Sequence, residues 1–68
     1  MYNRLIGEIS LNGYDITVRK SDINGMYQLS TFATSMGEEY REAMLSDTNP
    51  MDNPDVAERF IKQIEAHK

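Results

Sequence analysis

Ile9-Ser10-Leu11-Asn12-Gly13-Tyr14-Asp15-Ile16-Thr17-Val18 is the stretch on which the fold turns. A type I′ turn needs positive φ at both central residues, and Asn-Gly is the dipeptide that accepts this most readily. A two-residue turn at Asn12-Gly13 sets Leu11 opposite Tyr14, Ile9 opposite Ile16, and Gly7 opposite Val18. Those pairs are apolar or glycine. The other face pairs Ser10 with Asp15 and Glu8 with Thr17, which suits water. Alternation and turn chemistry thus agree on one register. A second Asn-Gly, Asn24-Gly25 between Ile23 and Met26, predicts a short third strand over Met26-Tyr27-Gln28.

Beyond it the pattern suggests helices. Ser30 is a good N-cap, and Phe32, Ala33 and Met36 follow at helical spacing before Gly37, a C′ stop. Residues 38–45 predict a second short helix with Tyr40, Met44 and Ala43 inward, and residues 46–53 are turn-rich loop. The last helix starts at Asn53-Pro54-Asp55, where Asn53 can cap, Pro54 fits the first position and Asp55 complements the dipole. Val56, Ala57, Phe60, Ile61 and Ile64 then line one face, and Glu58 pairs with Lys62 on another. The expected fold is α+β: an N-terminal antiparallel hairpin or three-stranded meander packed against two or three short α-helices. Its core would set Leu11, Ile9, Ile16 and Val18 against Phe32, Phe60, Ile61 and Ile64.

Sixty-eight residues make a single domain, 1–68. A chain of this length hides only about 60% of the surface its unfolded form exposes. With no cysteine it has neither disulfides nor thiolate metal sites, which leaves a modest core or a homodimer as sources of stability. No apolar stretch reaches the length of a membrane span, and Glu8 interrupts the N-terminus before a signal-type apolar run develops. The expected location is the cytoplasm. The net charge of −4 is unevenly placed. Residues 1–34 balance three acids with three bases, whereas residues 35–68 carry eight acids against four bases. A protein held by phosphate contacts usually shows the opposite sign.

Catalysis finds little material. The single histidine, His67, lies on the last turn, and a nucleophile needs an adjacent base. Glu38, Glu39 and Glu42 read as a solvated face, and the four glycines are explained by a strand, turns and a cap rather than a phosphate loop. Asp47, Asn49, Asn53, Asp55 and Glu58 follow a calcium-loop count, but Met51 and Asp52 stand where an oxygen donor and glycine are required. Neither a catalytic set, a metal site nor a cofactor is expected. Arg19-Lys20 is the only adjacent pair of bases, able to grip phosphates or to keep a strand end soluble.

Ile9-Ser10-Leu11-Asn12-Gly13-Tyr14-Asp15-Ile16 and the run from Asp22-Ile23-Asn24-Gly25-Met26-Tyr27 to Ser30-Thr31-Phe32-Ala33-Thr34-Ser35-Met36-Gly37 resemble the KilA-N domain of phage and large DNA virus proteins. Val56-Ala57-Glu58-Arg59-Phe60-Ile61 looks like the late helix of that family, so the resemblance spans about two-thirds of the chain. It implies a phage or prophage regulator that contacts DNA, weakly or as a dimer, with Arg19, Lys20 and Arg41 on phosphates. The family's usual aromatic and basic residues between the helices are replaced here by an acidic segment, Glu38 to Asp55. Charge therefore points to a second partner, a host protein such as a defence or transcription factor with a basic nucleic-acid groove. An acidic inhibitor of that kind would use Glu38, Glu39, Glu42, Asp47 and Asp52. In both readings the protein binds and does not catalyse.

Overall fold

The computed structural model describes residues 3–67. Four antiparallel strands, β1 (Asn3–Leu11), β2 (Tyr14–Ser21), β3 (Tyr27–Ser35) and β4 (Glu38–Ser46), form a meander in the order β1-β2-β3-β4. One helix, α1 (Pro54–Ala66), follows. The class is α+β, with a four-stranded sheet and a single helix among the described residues.

The first hairpin has the register that its turn predicts. Leu11 pairs with Tyr14, Ile9 with Ile16, Gly7 with Val18, and Glu8 with Thr17. Asn12 and Gly13 both have positive φ, +52° and +84°. An irregularity between Leu5 and Gly7 shifts the rest of β1.

The region 30–45 corrects the expectation of helices. β3 runs on through Ser35, and β4 pairs with it along nine residues, from Tyr27↔Ser46 to Ser35↔Glu38. Ser30 is therefore no N-cap, and Met36-Gly37 is a two-residue hairpin turn with φ of +52° and +81°. The reason for the difference is geometric. Positive φ at a glycine serves a helix C′ position and a type I′ turn equally. Tyr40 and Met44, four residues apart, share a face in a helix and also in a strand, because four is an even number. Thr31, Phe32 and Thr34 favour the pleated alternative, and long pairing with β3 overrides the helix propensity of Glu38–Leu45.

Alternation then sorts the side chains. Ile16, Val18, Leu29 and Ala33 face α1 and are buried with Val56, Ala57, Phe60, Ile61 and Ile64. Ile6, Ile9, Leu11, Tyr14, Tyr40 and Met44 pack around this cluster. Phe32 and Ala43 are corrections as well: both lie on the opposite face, exposed. The helix begins as expected at Pro54, with Asp55 in its first turn, but Asn53 makes no side-chain cap. Its Nδ2 donates instead to the Asn49 carbonyl at 3.0 Å, bracing the loop that leads in. Pro50 in that loop is fully buried. The smallest extent of the molecule is 16 Å, room for one sheet and one helix layer. One sheet face is consequently bare.

Candidate functional site

The bare face can be read row by row from the pairing. Leu5, Arg19, Gln28 and Leu45 form one row across the four strands, and Glu8, Thr17, Ser30 and Ala43 the next. Ser10 pairs with Asp15, and Phe32 with Arg41, in the row beyond. Thr34 and Glu39 close the face. An antiparallel sheet facing water normally alternates to polar residues there. Here Phe32 is 64% exposed, Leu45 62% and Leu5 58%. Phe32, its diagonal neighbour Ala43 and Leu45 make an apolar stripe across β3 and β4.

The sheet is also forked. Pairing between β2 and β3 runs from Lys20↔Tyr27 to Thr17↔Ser30 and stops, while each strand stays paired to its hairpin partner. At the fork the Thr31 hydroxyl donates to the Asp15 carbonyl at 2.8 Å. Two hollows flank this point, and Phe32 lines both. One, of about 280 Å³, is bounded by Asp15, Thr17, Arg19, Ser30, Phe32 and Arg41. The other, of about 370 Å³, lies between the Asn12-Gly13 turn and β3, with Tyr14 and Glu65 beneath. The Tyr14 hydroxyl donates to Glu65 at 3.2 Å, tying the first hairpin to the end of α1.

Of the three expected phosphate contacts, the structure brings two together. Arg19 and Arg41 share the smaller hollow. Neither has an ion pair among the described residues, where Arg4–Asp22 at 3.2 Å is the one salt bridge. Arg41 reaches the Ser30 hydroxyl only at 3.5 Å. Lys20 alternates to the other face, 5.4 Å from the centre of the Tyr27 ring. Adjacent bases on a strand point apart, so Arg19-Lys20 is no cluster.

The acids divide too. Glu39 lies on the bare face, whereas Glu38 and Glu42 lie on the helix side of β4, where Glu42 accepts from Gln63 at 3.3 Å. Asp47 and Asp52 belong to the β4–α1 loop, Asp52 accepting from Asn49 at 3.3 Å. Glu38, Glu39 and Glu42 stand on the edge strand β4, whereas Asp52 follows Met51, whose thioether lies beside Gly7 of β1. Acids on β4 and the irregularity in β1 both discourage strand-to-strand association at the sheet edges. No described helix is long and apolar enough to cross a membrane.

Phe32, Ser30 and Leu45 belong to this face and were not expected there, whereas Thr17 lies on the water-facing side that the hairpin register predicts. The signal that marks them is period-two alternation from Tyr27 to Ser35, which the helical reading of the same residues hides. Comparisons with family models, curated proteins and solved structures give no match to the chain.

Proposed function

We propose that the chain is a non-catalytic binding protein, a small phage-type inhibitor or regulator that docks on another protein through the bare sheet face. The observation that carries this reading is Phe32, an aromatic residue exposed on an inner strand with arginines in the same hollow. Protein interfaces draw on such anchors, aromatic and arginine residues surrounded by a polar rim. The face also carries Glu8, Asp15 and Glu39, one more charge than its two arginines offset, an unsuitable sign for a nucleic-acid footprint. Glu38, Glu39 and Glu42 on β4, with Asp47 and Asp52 in the loop that follows, would steer the encounter toward a basic partner, such as a host protein with a nucleic-acid groove. The test is capture from host lysate with the parent and with Phe32→Asp. A specifically retained protein should disappear with Phe32→Asp. Unchanged retention by a folded Phe32→Asp protein sinks the reading.

A second reading, DNA contact, is supported by Arg19 and Arg41 beside Phe32, since aromatic platforms with arginines stack bases and hold phosphates. On the protein-binding reading, affinity for DNA stays in the nonspecific range of about 10⁻⁴–10⁻⁶ M. Nanomolar binding in an anisotropy titration at about 150 mM salt would favour the DNA reading instead.

A further inference from the structure

We infer that the hollow between Arg19 and Arg41 is a carboxylate-binding site, which takes an acidic side chain of the partner with an adjacent apolar group on Phe32. This inference rests on the open-face reading and adds the chemistry of its centre. Arg19 and Arg41 come from β2 and β4, on either side of β3, and both line the same depression. Neither is engaged by a carboxylate of its own chain within ion-pair distance among the described residues. Arginine guanidiniums are suited to bidentate recognition of planar oxyanions. Thr17 and Ser30 line the same hollow, and the Ser30 hydroxyl accepts from the Arg41 guanidinium at 3.5 Å, which sets Arg41 over β3.

Charge selects among oxyanions. Asp15 lines the hollow with the two arginines, leaving a local balance of +1. A single carboxylate neutralises that balance. A nucleic-acid strand brings successive phosphates across the face, where Glu8 and Glu39 oppose it as well. Phe32, exposed beside Arg41, offers the ring on which an apolar neighbour of the carboxylate packs.

The experiment is an NMR titration of the whole chain, observing the Nε–Hε signals of Arg19 and Arg41 and the amides of Ser30 and Phe32. The probes are phenylacetate, its neutral amide phenylacetamide, phenyl phosphate and a short oligothymidine. Phenylacetate should produce saturable shifts at all four residues, and phenylacetamide none. Arg19→Gln and Arg41→Gln should each weaken phenylacetate roughly tenfold or more, with lysine at either position intermediate. Thermal unfolding of each variant establishes that it is folded. Absence of saturable shifts, or binding unchanged in both glutamine variants, overturns the inference. Tighter binding of phenyl phosphate or oligothymidine than of phenylacetate also overturns it, in favour of phosphate recognition. Failure here, with partner binding still lost in Phe32→Asp, removes the carboxylate site and leaves the open-face reading standing. Retained partner binding in Phe32→Asp removes the open-face reading whatever phenylacetate does.

Discussion

The two hairpins share one backbone solution and differ in the residues that adopt it. In the first, Asn12 and Gly13 have φ of +52° and +84°; in the second, Met36 and Gly37 have +52° and +81°. Asparagine enters the left-handed region readily, whereas an ordinary side chain there costs about 1–2 kcal/mol. Met36 is also 98% exposed, so it gains nothing from burial. The second hairpin therefore closes in spite of its turn, through nine paired positions and the burial of Leu29 and Ala33 beneath α1. A strong turn can announce a hairpin, but long strand pairing can form one without it.

The largest effect that tests this comparison comes from the residue uniting the hairpins. Phe60 is fully buried among Ile16 and Val18 of the first and Leu29 and Ala33 of the second. Phe60→Ala should cost about 3–5 kcal/mol, enough to unfold a domain of this size, whereas Phe32→Ala should stay within about 0.5 kcal/mol. Denaturant unfolding followed by circular dichroism reads both. Equal losses at the two phenylalanines would place Phe32 in the core and remove the bare-face site.

Exchanging turn residues comes next. Met36→Asn should raise stability by about 1 kcal/mol, and Asn12→Met should lower it by a similar amount. Urea midpoints with unchanged slopes measure the difference. A destabilised Met36→Asn protein would mean that Met36 is not in a type I′ turn.

Smaller effects separate the hairpins' interiors. The Tyr40 hydroxyl in the second is buried without a hydrogen-bond partner among the described residues. Tyr40→Phe should therefore raise the unfolding free energy by roughly 0.5–1 kcal/mol. A loss of stability would reveal a bond to that oxygen. In the first hairpin, a Cβ added at Gly7 would stand 2.7 Å from Met51 Cε and 2.9 Å from its Sδ. The end of a flexible thioether can swing aside, so Gly7→Ala should cost roughly 0.5 kcal/mol. Combining it with Met51→Ala should abolish that cost. A larger loss that persists in the double variant would locate the constraint in the β1 backbone instead.

The sequence by itself determined the features whose physics is local or strictly periodic. Asn12-Gly13 with its flanking alternation set the β1–β2 register, and the spacing of Val56, Ala57, Phe60, Ile61 and Ile64 set the buried face of α1. Pro54 marked where that helix begins. Residues 30–45 were ambiguous, because their i,i+4 apolar pairs and the glycine at 37 satisfy helix and hairpin alike. Only pairing with β2 on one side and β4 on the other decided for strands, and that pairing, reaching out to Tyr27↔Ser46, extends beyond the few residues over which a turn or a helical repeat is read. The candidate site follows from the same decision. Once β3 and β4 are strands, Phe32 moves from the core face to the bare one and Arg41 comes beside it, whereas Lys20 turns away from Arg19 by the alternation of β2 itself. Strand alternation fixes which side chains share a face, but only tertiary packing decides which face the helix covers.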